Sequence, residues 1–293
     1  MDALYYFYAL GAFLFGVILG SFLNALLFRY QTGTGIGGRS HCMNCGHTLS
    51  AFDLVPIFSY LLLFGRCRYC SSKISIQYPL VELTAGLLVF GVFLHFFSPE
   101  LFSVSLNLFS VFSFLFSVIL WLLFLFLFVY DLRHKILPFS ALALTWICSL
   151  LLILLSYFIL PTSYFLLHEL LAGPAVASPL LLISLFSRGR AMGWGDGLLS
   201  LSIGWLLGLS GGMTALVLAF WSGAIVGLGM IAYSNRALRL ELGALSGKLS
   251  PHTSHPAPSS SVTMKSEIPF GPFLLLGTVA VYFFHIDLFA LIF

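Results

Sequence analysis

Apolar runs of about 20 residues, long enough to cross the hydrocarbon core as helices, recur along the chain between short polar stretches. They predict spans at 5–28, 79–97, 106–130, 139–160, 164–186, 198–210, 212–234 and 270–291. The sixth is short and abuts the seventh across Ser210-Gly211-Gly212, so it reads as tilted or as part of a re-entrant element. The fold class expected is an all-α polytopic membrane protein with about eight transmembrane helices. Asp2 is the only charge in the first run and no basic segment precedes it. That run is expected to remain as a span rather than be removed as a signal peptide.

Composition agrees with the pattern. Of 293 residues, 60% are hydrophobic and 8% charged, and the mean hydropathy is +1.05. A soluble domain carries about 25% charged residues, so the lipid bilayer is the expected surrounding. The net charge of +3 is too small to suggest nucleic acid. Its placement is informative. Arg29, Arg39, Arg66, Arg68, Lys73, Arg133, Lys135, Arg188, Arg190, Arg236, Arg239, Lys248 and Lys265 account for all 13 basic residues. All fall at loops on one side of the eight-span arrangement, which the positive-inside rule makes cytoplasmic. Both termini are then expected to face outward. His95, His168, Glu169, His285 and Asp287 lie near the outer boundary and read as interfacial anchors.

Three segments follow: a first span at 1–28, a cytoplasmic domain at 29–78, and a membrane core at 79–293 with a cytoplasmic linker at 235–269. The linker, from about Gly243 to Ser266, is rich in Ser, Pro, Gly and His and reads as flexible.

The cytoplasmic domain carries Cys42-Met-Asn-Cys45 and Cys67-Arg-Tyr-Cys70, with 21 residues between the pairs. Each CxxC lets two thiolates turn onto one ion, and two such turns complete a tetrahedral sulfur site suited to zinc. Four thiolates leave no open position, so the zinc would be structural. His41 and His47 read as bystanders. The fifth cysteine, Cys148, lies in an apolar run.

Two aspartates mark the cytoplasmic ends of spans. Asp131 follows Tyr130 at the end of the third, and Asp196 closes Gly193-Trp194-Gly195-Asp196 before the sixth. They are 65 positions apart, yet the orientation puts both on the cytoplasmic side at similar depth, where two hairpins would let them meet. A pair of carboxyls sharing a water can hydrolyse a peptide: one, ionised, takes a proton and the other, protonated, polarises the carbonyl. Gly193 and Gly195 would support that chemistry by letting a peptide backbone come close. The alternative is that each aspartate is a solvated helix cap.

These residues occur within a wider pattern. Gly20-Ser21-Phe22-Leu23-Asn24 with Arg29, the stretch from Cys42 through Asp53, Pro56, Ser59-Tyr60 and Gly65 to Cys70, and Tyr78-Pro79-Leu80-Val81-Glu82 come first. Asp131 with Ile136 and Pro138, Gly193-Trp194-Gly195-Asp196, and Ile268-Pro269-Phe270-Gly271-Pro272 follow. In this order they resemble the type IV prepilin peptidases (prepilin leader peptidase/N-methyltransferases), membrane aspartyl proteases of the GxGD type. The resemblance implies an inner-membrane aspartic endopeptidase that removes the leader from prepilins or pseudopilins at the cytoplasmic face, with Asp131 and Asp196 as its pair. It also implies N-methylation of the new terminus with S-adenosylmethionine as donor, for which Glu82, Gly20 and Asn24 are the candidates. Pilus or secretion assembly machinery would be a further partner. Two departures stand out: Leu198 where the family often has lysine, and Phe139 where asparagine is usual after Pro138.

Rival readings exist. A presenilin-like protease also uses a Tyr-Asp and GxGD pair but has no tetracysteine loop, and its Pro-Ala-Leu motif is missing from this chain. A metal-regulated transporter would place ionisable residues near the span centres. A scaffold docking partners through its zinc loop is the third. Asp53 is expected to help offset the basic face toward a basic leader.

Overall fold

The computed structural model describes residues 2–30, 38–97, 108–159, 163–190, 192–246 and 269–289. Lys248, Lys265, Ile268, the outer loop at 98–105, and 247–268 of the expected linker lie outside them.

In hydrocarbon no water can satisfy the backbone, so an apolar run closes its hydrogen bonds within a helix. The described elements are helical throughout: α1 (Asp2–Arg29), a 3-10 turn (Ala51–Leu54), α2 (Phe58–Leu62), α3 (Gln77–Phe96), α4 (Leu108–His134), α5 (Phe139–Ile159), α6 (Ser163–Ser187), α7 (Trp194–Ser246) and α8 (Gly271–Phe284). Among the described residues, six helices are long and apolar enough to cross a membrane, and α8 is a shorter apolar one.

The two expected spans at 198–210 and 212–234 form one helix, α7, broken at Gly208. The break lies before Ser210-Gly211-Gly212. Gly208 alone in α7 adopts φ 73, ψ −178, a backbone state that costs glycine nothing and a residue with a Cβ a great deal. Gly211 and Gly212 stay helical and serve packing: a Cβ on Gly212 would meet Val176 Cγ2 at 2.6 Å. With α7 counted as two halves, and α8 added, eight membrane segments result. The second half of α7 runs to Ser246, further than the linker boundary at 235 allowed. The run Arg236-Ala-Leu-Arg-Leu-Glu-Leu is composed of good helix formers. On the opposite end of the protein, Asp287 accepts hydrogen bonds from Ser210 and Thr214 hydroxyls and ties α8's end to the second half of α7.

Small residues let the helices close up where no hydrophobic drive exists between them. Gly16, Gly20 and Gly86 hold α1 against α3. A Cβ on Gly16 would lie 2.7 Å from the Ala85 carbonyl oxygen, and one on Gly20 2.8 Å from Glu82 Cα. The core between α4, α6, α7 and α8 is filled by Leu120, Trp121, Phe124, Leu127, Leu180, Leu199, Ile203 and Leu274, all buried.

Candidate active site and metal centre

Asp131 sits in the last turns of α4. Lys135 ends that helix in a left-handed state (φ 55), with its N–H bonded to the Asp131 carbonyl at 2.8 Å. Ile136, Leu137 and Pro138 then turn the chain into α5, whose first turn is set by the Leu142 N–H bonding to the Pro138 carbonyl. Asp196 lies in the first turn of α7. The turn before it is fastened by α6: the buried Ser184 hydroxyl donates to the carbonyls of Met192 (3.2 Å) and Gly193 (3.3 Å).

The glycines of this turn have separate duties. A Cβ on Gly195 would press on Leu137 Cβ at 3.0 Å, so its absence lets the start of α7 close on the turn that follows Asp131. A Cβ on Gly197 would collide with Leu181 of α6 at 2.6 Å. Gly193 is exposed, and a Cβ there would meet only Asp196 Oδ2, at 3.9 Å. Its side of the carboxyl is open to an approaching chain.

Gly271, at the start of α8, joins the two aspartates. A Cβ on it would stand 2.6 Å from Asp131 Oδ2 and 3.5 Å from Asp196 Oδ1. The two oxygens are therefore no farther apart than the sum of these distances, and the charge of one aspartate is felt by the other. The Gly271 backbone N–H reaches the Asp131 carboxyl. Asp131 is 5% exposed, and its Oδ2 is buried with no hydrogen-bond partner among the described residues. A buried carboxyl oxygen without a partner is costly to keep, so it marks a place where a further polar molecule belongs. In the sequence Gly271 stands within Ile268-Pro269-Phe270-Gly271-Pro272, where nothing local marks it as a neighbour of the two aspartates. His134, three residues after Asp131, is exposed, and its ring centre lies 4.5 Å from that of Tyr130.

The four cysteines Cys42, Cys45, Cys67 and Cys70 come together with all sulfurs within 4.8 Å of one another. Both pairs are built alike. In the first, Cys42 N–H bonds to His47 O and Gly46 N–H to Cys42 O; in the second, Cys67 N–H bonds to Ser72 O and Ser71 N–H to Cys67 O. Ser72, through its side chain and then its backbone, lowers the Cys70 thiol to about 6. At Cys45 a backbone hydrogen bond with His47 lowers the thiol, but burial and the sulfurs of Cys42 and Cys70 outweigh it and push it up to about 11. Four thiolates crowd this space unless a cation shares their charge, and four sulfurs at these separations fit a tetrahedral zinc. His47 packs on Tyr69 with ring centres 3.7 Å apart, outside the ligand set.

Asp53 does not face outward toward a ligand. Its side chain is 3% exposed and pairs with Arg68 Nε at 2.9 Å. Ser50 N–H and hydroxyl and the Tyr69 hydroxyl also donate to it. Burial alone would raise its pKa; the hydrogen bonds from Ser50, then Tyr69 and the Arg68 charge, outweigh this and hold it below the ordinary carboxylate range. It clamps the segment between the cysteine pairs to the second pair, and the expectation that it meets a basic leader gives way to this role.

Gly20, Asn24 and Glu82 converge where α1 meets α3. Asn24 Nδ2 donates to Tyr78 O at 3.0 Å, and Glu82 Oε2 accepts the Ile57 N–H at 2.7 Å, with the Ser21 hydroxyl beside it. Gly20 is filled by α3 itself. Of these three residues, Asn24 has a buried side-chain atom, Oδ1, without a hydrogen-bond partner among the described residues. With Glu82 and Gly20 already engaged, the cluster does not fit S-adenosylmethionine as it stands. It joins α1, α3 and the cysteine domain. Phe28 stacks on Tyr78 with ring centres 5.1 Å apart, and Arg133 Cζ lies 4.4 Å from the Phe28 ring centre, linking this junction to the end of α4.

Fold and site together define a polytopic membrane protein with a pair of carboxyls at one end of its helix bundle and, on the connection from α1 to α3, a cluster of four cysteines able to hold a metal ion. Comparison with known proteins assigns its relations. Residues 14–96 match the Bacterial Peptidase A24 N-terminal domain. A prepilin leader peptidase/N-methyltransferase of Myxococcus xanthus is 44% identical over 84 residues, covering 28% of this chain and 25% of that protein. One of Vibrio cholerae is 38% identical over 86 residues, 26% of this chain and 34% of that protein. One of Aeromonas hydrophila is 29% identical over 297 residues, 90% of this chain and 87% of that protein. The chain is thus similar to the prepilin leader peptidase/N-methyltransferases. The matched segment spans only about a quarter to a third of the Myxococcus and Vibrio proteins, whereas the Aeromonas match runs nearly end to end. No solved structure matches the chain.

Proposed function

We propose that this chain removes the leader from prepilins or pseudopilins by aspartyl hydrolysis at the membrane face. The observation that carries the reading is the approach of Asp131 and Asp196 to one glycine, Gly271. Two carboxyls this close hold one proton between them more readily than they both ionise. The ionised member takes a proton from water, and the protonated member polarises the scissile carbonyl. The open Gly193 side admits the substrate backbone, and Gly195 keeps the two aspartate segments together. Prepilin processing is the activity in the names of its relatives.

The side with the basic loops is the cytoplasmic one in this reading, in a bacterial inner membrane, with both termini outward. Zinc in the four cysteines is structural: it joins the two turns and takes no part in hydrolysis. N-methylation of the new terminus from S-adenosylmethionine is the second activity in the relatives' names, and those names alone carry it. Gly20, Asn24 and Glu82 support α1, α3 and the cysteine domain, and no step of methyl transfer is routed through them. Pilus or secretion assembly machinery would then receive the product.

The test is cleavage in vesicles that contain the purified chain and a prepilin. Release of the leader at the edge of the substrate's apolar segment is expected. Cuts deep within that segment would favour the presenilin-like alternative, and uncut prepilin beside correctly inserted protein would contradict the proposal.

A further inference from the structure

Helix α2 is inverted for a domain in water. Phe58, Leu61 and Leu62 stand at i, i+3 and i+4 on one face, and they are 62%, 62% and 77% exposed. Ser59 and Tyr60, its polar members, are the less exposed ones. Tyr60 turns toward Gly65, where a Cβ would lie 2.9 Å from its hydroxyl. Phe64, just beyond, is 90% exposed. A soluble fold turns such a stripe inward, and a cluster of this kind rimmed by polar residues marks an interaction surface.

Its position says what covers it. The residue before α2, Ile57, adopts a left-handed backbone (φ 60) and donates its N–H to Glu82. Glu82 is the sixth residue of α3, about 7.5 Å along a membrane-crossing helix from its first residue at 1.5 Å per residue. An amphipathic helix that lies in a bilayer interface is buried by about 5–10 Å. The chain on either side is tethered to spans, α1 before and α3 after, so α2 is held at that level. Arg66 and Lys73 follow, exposed and paired across an isolated antiparallel bridge. Basic side chains beside an apolar stripe complement anionic lipid headgroups.

We propose that α2 and Phe64 are a membrane-surface anchor: Phe58, Leu61, Leu62 and Phe64 enter the acyl boundary of the bilayer, and Arg66 and Lys73 take anionic headgroups. The anchor fixes the metal centre against the lipid next to the helix bundle. The lipid surface is favoured over a second polypeptide because the stripe sits at the level of the spans it is tethered to.

The experiment uses the full chain in vesicles of phosphatidylethanolamine and phosphatidylglycerol, with the photo-reactive p-benzoylphenylalanine replacing Leu62, Phe64 or, as a reference, Ile18. Ile18 lies mid-way along α1 and is exposed to the lipid side. Intact mass after irradiation should show phospholipid adducts at positions 62 and 64 to an extent comparable with position 18. Omitting phosphatidylglycerol should reduce the adduct at 64 severalfold and leave that at 18 unchanged. Lipid adducts at 18 with none at 62 and 64 would overturn the proposal. Adducts at 64 to a second copy of the chain or to an added prepilin, in place of lipid, would overturn it in favour of a protein partner. The readout involves no cleavage, so it stands or falls apart from the peptidase reading.

Discussion

Asp131 Oδ2 lies 2.6 Å from the point that a Cβ on Gly271 would occupy. No real Cβ tolerates such a contact, so Gly271→Ala must displace the carboxyl, and Asp196 Oδ1 is next in line at 3.5 Å. A misplacement on the order of 1 Å costs about 10²-fold in rate. Gly271→Ala should therefore lower leader cleavage by about that factor while membrane insertion and zinc content stay as in the wild type. Cleavage at the wild-type rate would show that the glycine does not set the geometry of the pair.

The metal centre should hold one zinc per chain. Replacement of Cys42 and Cys67 by Ser should abolish it, as measured by elemental analysis of the purified protein. Chelation should expose the connection from α1 to α3 to protease, because the two turns share few bonds besides the metal. A zinc content unchanged in the double variant would refute the four-cysteine assignment.

Ser71 stands where the first cysteine turn has Gly46, and both are left-handed, at φ 56 and φ 70. A residue with a Cβ pays roughly 1–2 kcal/mol for that state, part of which glycine returns through its freer unfolded chain. Ser71→Gly should slow zinc release to a chelator, by about 1 kcal/mol or less. Faster release would mean that the serine side chain contributes more than its backbone strain removes.

Asp53 ties the segment between the cysteine pairs to the second pair through a carboxyl whose pKa is depressed in the fold. A depressed pKa gives stability that is present above the unfolded value of about 3.9 and is lost as pH falls through the lower folded value. Asp53→Asn should raise hydrogen exchange in residues 50–54 and 66–73 at neutral pH, and the gap to the wild type should narrow only in strong acid. Equal exchange at neutral pH would contradict the clamp.

Much of this was legible in the sequence, for definite reasons. Spans are readable because a bilayer offers the backbone no water, so each crossing needs a long apolar run. The four cysteines are readable because a CxxC turn is local. Asp131 and Asp196 stood out because acidic residues are rare in such a chain and both fall at span ends on one side. The break in α7 was misplaced by a few residues. Gly204, Gly208, Gly211 and Gly212 are alike as letters, and only packing decides which of them unwinds. Gly271 was passed over as a site residue since its duty arises from where α8 begins in space, although Pro269-Phe270-Gly271-Pro272 was the available signal. The clamping role of Asp53 is not legible in the sequence, because its partners Arg68 and Tyr69 belong to the second cysteine turn, beyond any local pattern.

In the proposed hydrolysis Asp131 and Asp196 act as one catalytic pair. The direct measurement is the intact mass of a prepilin co-expressed with the wild-type chain, with Asp131→Asn and with Asp196→Asn, each verified to be inserted and to bind zinc. The pair predicts a leaderless product with the wild type and full-length prepilin with both variants. Leader removal by either variant at the wild-type level would contradict it.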